Sequence, residues 1–180
     1  MDRGLTSRMA RAAKLDVSLY EEVEADTNAT AQALVVVVLS SLAAGVGAAG
    51  TATNFGPFDL VVATLAALVG WVVWALLTYF IGTRILPTPE TKADLGELLR
   101  TTGFSSAPGI VRVIGVVPLL GWLAMAVAAV WMLISMVIAV RQALDYRSTG
   151  RAIAVCFLGW TFSLLLALIV GGLPLGKPGI

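Results

Sequence analysis

Histidine is absent from the 180 residues, and cysteine occurs once, as Cys156. The first absence removes the commonest general base and the commonest metal ligand together. The second excludes an intramolecular disulfide, a paired-cysteine redox motif and a cysteine metal cluster. Charge is also scarce: Asp, Glu, Lys and Arg make up 13% of the chain while apolar residues make up 58%, whereas a soluble domain carries roughly 25% charged residues. Mean hydropathy is +0.91. This is the composition of a chain whose solvent is a bilayer. The 12 basic residues against 11 acids leave a net charge of +1, and no stretch interleaves aromatics with basic side chains, so a nucleic-acid partner is not expected. No Gly-rich phosphate loop with a following Lys-Ser/Thr is present, and neither Ser-His-Asp nor Cys-His can be built. Residues 1–28 lack the apolar core of a cleavable signal, so the first membrane helix is expected to direct insertion. Together these absences predict a non-enzymatic protein without cofactor or metal.

What is present is a series of long apolar runs. The pattern predicts an all-α, polytopic helical bundle in three parts: a cytoplasmic amphipathic segment over 1–28, a five-span membrane domain over 29–172 and an extracytoplasmic tail over 173–180. In the first part, Leu5, Met9, Ala12 and Ala13 share one helix side and Arg3, Arg11 and Lys14 the other, with Arg8 at the border, which reads equally as a membrane-surface foot and as a partly disordered terminus whose basic residues only set topology. Ser18 to Glu21 has capping-box spacing. Glu21, Glu22, Glu24 and Asp26 then reverse the charge, which reads as a solvated face before it reads as a hairpin.

Spans over 29–49 and 58–81 contain one charge between them, Asp59, at a helix start where the dipole favours an anion. The pairs Ala43/Gly47 and Gly45/Ala49 would let another helix approach closely. Trp71 and Trp74 fall in mid-span, where aromatics are expected to pack. Residues 84–100 form a polar link, with Thr91 to Asp94 spaced to start an interfacial helix. The third segment, GFSSAPGIVRVIGVVPLLG over 103–121, is the unusual one. It carries Pro108, Pro118 and Arg112, and Pro108 is expected to kink it. Its first 16 residues would cover about 24 Å as an α-helix, slightly short of a roughly 30 Å hydrocarbon core. Spans over 121–140 and 152–170 follow; in the last, Gly159, Ser163, Ala167 and Gly171 recur every four residues as a ridge for helix packing.

The basic residues sort by side when five spans are drawn. Arg3, Arg8, Arg11 and Lys14, then Arg84, Lys92 and Arg100, then Arg141, Arg147 and Arg151 share one face, leaving only Lys177 opposite. The positive-inside rule places the N-terminus in the cytoplasm and the C-terminus outside. Arg84, Arg100, Arg141, Arg147 and Arg151 are therefore candidate contacts for anionic lipid. Arg112, alone among the charges, is expected at membrane depth, where burial costs on the order of 2.5–3.5 kcal/mol. With Pro108, Gly103 and Phe104 it forms the candidate intramembrane site. The alternatives are a substrate, ion or headgroup contact, snorkelling toward an interface, and a structural bond to carbonyls freed by Pro108.

The pairing of Gly103-Phe104 with Pro108 and Pro118, followed by an uncharged span and the turn over 146–151, resembles the Yip1 domain family, most closely its prokaryotic branch. The resemblance covers residues 16–173. It implies a helical integral membrane protein with a cytosolic N-terminus, whose eukaryotic relatives act in vesicle trafficking and bind Rab-type GTPases. Their Asp-Leu-Tyr-Gly-Pro motif is incomplete here, because Leu19-Tyr20 is followed by Glu21-Glu22, so GTPase binding does not carry over. The expected role is a membrane scaffold or membrane-shaping protein that contacts lipids, a second copy or another membrane protein. The alternative is a small transporter, channel or lipid-handling protein using Arg112.

Overall fold

The computed structural model describes residues 4–50, 56–117 and 119–172, without the side chains of residues 166, 167 and 169–172. The expectations placed on Arg3, Pro118, Ala167, Gly171 and the tail over 173–180 lie outside these. The described residues contain no strand. They form α1 (Leu5–Ala13), α2 (Val17–Ala25), α3 (Ala29–Ala49), α4 (Pro57–Phe80) ending in a π-turn (Ile81–Ile85), α5 (Leu95–Phe104), a 3-10 segment (Ala107–Val116), α6 (Gly121–Ala143) and α7 (Thr149–Gly172). Among the described residues three helices are long and apolar enough to cross a membrane, Ala29–Ala49, Pro57–Ile85 and Gly121–Ala143, and Thr149–Leu165 is a shorter apolar helix. Helix is the form that satisfies backbone groups without water, which is why apolar runs of this kind adopt it.

Capping chemistry sets the helix starts, with two shifts from expectation. Asp16, rather than Ser18, caps α2 by accepting from the Ser18 amide. Asp94, rather than Thr91, caps α5, and its reciprocal bonds with Glu97 close a capping box. In both cases an aspartate just upstream offers a carboxylate oxygen at the right reach. Asp59 plays its expected part by accepting from the Gly56 amide at 2.8 Å.

The acids of α2 form a hairpin rather than a solvated face. Arg8 is 1% exposed and donates to Glu22, Asp26 and Gln32, while Arg11 donates to Asp16 and Glu22. With these charges matched inside the pair, the apolar sides can face the bundle: Ala12, Leu19, Tyr20 and Val23 are buried with Ala33, Val36 and Phe104. The Tyr20 hydroxyl lies 2.6 Å from Ser135 Oγ, and Trp131 Nε1 donates to the Ala13 carbonyl. The amphipathic foot is thus docked on protein.

α3 is central and α4 peripheral: 44% of the most apolar window of α3 is buried against 6% for α4. The 3-10 segment lies along α3 in the same direction. Gly103 packs on Ala33, Gly109 on Ser40, Gly115 on Gly47, and Val116 on Gly50. Pro108 explains the change of helix type. Its ring would meet the carbonyl of residue 104, and it has no amide to continue the ladder, so α5 ends at Phe104. The 3-10 form then rises about 2.0 Å per residue instead of about 1.5 Å. From Ala33 to Gly50 α3 climbs about 25 Å, and from Gly103 to Val116 the neighbouring chain climbs about 24 Å. The segment keeps pace with α3 because the change of helix type stretches it. A three-residue repeat also stacks Gly109, Arg112 and Gly115 on one line, and both glycines lie against α3.

At the opposite end of α4, the π-turn leaves carbonyls that Tyr146 collects. Its hydroxyl donates toward Gly82 and Leu86, at 3.2 and 2.7 Å. Around it, Ile81, Leu98, Val140, Leu144 and Val155 form a second buried cluster.

Candidate functional site

Arg112 is placed by two elements. The 3-10 segment carries its backbone against Gly47, and the side chain runs back along α3 to Ser40. Nε donates to the Gly109 carbonyl at 3.0 Å, and Nη2 donates to the Ser40 carbonyl at 3.0 Å and to Ser40 Oγ at 2.7 Å. The carbonyls that hold the guanidinium are therefore those of Gly109 and Ser40, not one released by Pro108. Ser40 lies near the middle of α3, so the charge sits far from either helix end. Among the described residues no carboxylate pairs with it. Nη1 makes no hydrogen bond there either, and no sealed side-chain nitrogen or oxygen among those residues lacks a partner. Nη1 therefore faces open space.

Arg112 lines a cavity of about 580 Å³ bounded by α3, α4, α5, the 3-10 segment and α6. Its wall includes Ser40 and Arg112 on one side, Gly70, Trp71 and Trp74 on α4, and Met132 and Met136 on α6. The indole nitrogens are already engaged: Trp71 donates to the Leu99 carbonyl and Thr102 Oγ1, and Trp74 to Met136 Sδ. Both tryptophans pack, as expected, but they also shape a void that sequence reasoning missed. Signals for it were present in the adjacent Ser40-Ser41 pair inside an apolar run, and in Met125, Met132 and Met136, spaced to share a helix face.

The other members of the candidate intramembrane site do not line this cavity. Phe104 is fully buried among α1, α2 and α3 residues. A methyl at Gly103 would meet the Ala33 Cβ at 2.7 Å, so this glycine permits close helix contact. Pro108 is buried and sets the helix type. All three act in packing, while the Arg112 side chain turns toward α3.

The candidate lipid contacts also divide. Arg84, Arg147 and Arg151 are exposed and Arg141 is half-buried. Arg151 donates to the Pro87 carbonyl, and Arg147 pairs with Glu90 at 3.2 Å. Arg100 is not a headgroup contact: it is 6% exposed and donates to the carbonyls of Val23 and Glu24 at the end of α2. On α7, a methyl at Gly159 would lie 3.1 Å from the Trp74 ring, so the first step of the ridge is filled from within the chain. Ser163 is half-buried, and the remaining two ridge side chains lie outside the described residues.

Below Arg100, Glu21, Glu24, Glu97, Arg141, Gln142, Asp145 and Tyr146 surround a polar recess of about 530 Å³. Burial, and then the charges of Glu97, Asp145 and Glu21, push the Glu24 carboxyl up to about 7, with Arg100 opposing. A raised carboxyl holds its proton longer in the folded state. Its stabilising share is complete below about 4.5 and is lost as pH climbs through about 7. With no histidine in the chain, no side chain of ordinary pKa titrates in that window. In detergent, the unfolding midpoint is expected to fall between pH 5.5 and 8.5, and Glu24→Gln should flatten the slope. An unchanged slope in that variant would refute the assignment to Glu24.

A central, partly unengaged guanidinium, a polar recess and a hairpin docked on an all-helical apolar bundle form the setting for comparison with known proteins. No curated protein and no solved structure matches the chain significantly. The family model of the Yip1 domain matches residues 18–171, which spans every element from α2 to α7 and agrees with the resemblance read from Gly103-Phe104 and the prolines. The chain belongs to the Yip1 domain family of membrane proteins.

Proposed function

We propose that this chain is a non-enzymatic integral membrane scaffold, of membrane-shaping or trafficking type, that crosses the bilayer five times with its N-terminus in the cytoplasm. The observation that carries this reading is the basic end of the bundle. There Arg8, Tyr20, Arg100 and Trp131 fix the α1–α2 hairpin, while Arg84, Arg147 and Arg151 stay exposed. A rigid charged platform on a lipid-facing bundle offers contacts to anionic headgroups, at roughly 1 kcal/mol per basic residue near the surface, and to a protein partner. The matched rise of α3 and the 103–116 segment supports the third crossing, and the one-sided distribution of Lys and Arg supports the orientation. Mass measurement in native lipid nanodiscs is expected to show a dimer or larger species, or a copurifying membrane protein. A strict monomer without a partner would remove the scaffold reading. Cysteines placed at Lys14 and Lys177 in a Cys156→Ser background are expected to label from opposite sides, and labelling from one side would remove five crossings.

A second reading is favoured by the cavity at Arg112: a small transporter, channel or lipid-handling protein. It expects Arg112→Ala to abolish a flux or lipid transfer in reconstituted vesicles while the protein stays folded. No flux with the unmodified chain would eliminate it.

A further inference from the structure

We propose that the cavity beside Arg112 binds one long-chain carboxylate, with the headgroup on Nη1 and the chain lying between α4 and α6. Three features converge on this chemistry. The cation is placed deep in the bundle on a side chain that lines the cavity, with Nε and Nη2 committed to carbonyl and hydroxyl oxygens and Nη1 left without a partner. Nη1 still offers its two N–H donors to a carboxylate oxygen, and a cation at membrane depth gains most from an anion brought to it.

The remaining wall suits hydrocarbon. Ala63, Ala67, Trp71 and Trp74 on one side face Met132 and Met136 on the other, and methionine adapts its shape to an apolar guest. The polar atoms of both indoles are engaged within the protein, so they present ring surface rather than a competing donor. Size then selects among anionic amphiphiles. At roughly 30 Å³ per non-hydrogen atom, taking the space of a water molecule as the scale, a volume of about 580 Å³ holds roughly 20 such atoms. One acyl chain with its carboxylate fits in this volume. α4 also leaves room: a methyl at Gly70 would meet nothing within 4 Å.

This inference deepens the transporter or lipid-handling reading, and it leaves the scaffold reading untouched, since that is decided by nanodisc mass with no carboxylate added. Failure of flux would remove transport without removing binding, so the two outcomes remain distinct. The test is native mass spectrometry of the full chain in detergent at pH 8, titrated with palmitate, hexadecanol, phosphatidic acid or inorganic phosphate. One saturable palmitate per chain is expected, with hexadecanol at least tenfold weaker and neither phosphate probe saturating. Arg112→Gln should weaken palmitate at least tenfold, and Arg112→Lys less. Gly70→Phe fills the cavity without touching Arg112, so it should abolish binding even if Arg112→Gln fails to fold. Equal binding of palmitate and hexadecanol, saturable phosphatidic acid or phosphate in place of palmitate, or unchanged palmitate binding in Gly70→Phe would each overturn the proposal.

Discussion

Leucine in place of Gly47 is expected to detach the 3-10 segment from α3 and to lower the yield of folded, monodisperse protein severely. The reason lies in backbone contact. A Cβ at Gly47 would fall on the Arg112 carbonyl, and Gly115 already lies so close that its own Cβ would sit 3.2 Å from the Gly47 Cα and oxygen. A flexible side chain can turn aside, but two packed backbones must separate. Overfilling a packed site costs about 1–3 kcal/mol and sometimes more, and this site belongs at the upper end because neither helix has a side chain to move. Separation would also withdraw Ser40 from Arg112. Gly70→Ala is the matched control: it adds a methyl into open space and should be neutral or stabilising by up to about 1 kcal/mol through helix propensity. Unfolding midpoints of the two variants in one detergent decide the matter. A Gly47→Leu protein that melts with the unmodified chain would show that the two backbones are not in contact.

Methionine in place of Arg8 is the second large change. It keeps much of the side-chain volume and removes the cation that joins Glu22, Asp26 and Gln32. Breaking a buried ion pair costs about 3–5 kcal/mol, because acids remain in a site shaped for their partner. The carboxylates of Glu22 and Asp26 are 17% and 16% exposed, so water relieves part of the loss and about 3 kcal/mol is expected. The loss should be greatest in α1 and α2, where the paired acids lie. Amide hydrogen exchange should rise across α1 and α2 while α3 and α6 stay protected, and trypsin should cut after Arg11 or Lys14 at much lower doses. Wild-type exchange across the hairpin would contradict the role assigned to Arg8.

Both changes fall on places where the sequence was only partly readable. The pairs Ala43/Gly47 and Gly45/Ala49 marked α3 as a helix that others approach closely, and it is. The neighbour could not be named, because a small residue advertises contact without specifying what makes it. The charge reversal between α1 and α2 was visible too. Composition alone favours solvating those acids, and only docking against Phe104 and Ser135 makes internal pairing the better arrangement. Arg100 shows the same difficulty in reverse. It reads as one more basic residue at an interface, yet the end of α2 lies over it and supplies two carbonyls.

The third segment separates the two sources of information most clearly. Residue identities by themselves determined the apolar helices, their order and the presence of one charge in an apolar stretch. These follow from hydropathy and from the cost of leaving backbone groups unsatisfied in lipid, which depend on local composition. Tertiary structure decided how 103–116 keeps pace with α3, where Arg112 points and that a cavity adjoins it. Pro108 forbids the continued α-helix, but only packing against Ser40, Gly47 and Gly50 makes a ten-residue 3-10 run the arrangement adopted. Contacts distant in sequence leave no local trace beyond the small residues that permit them.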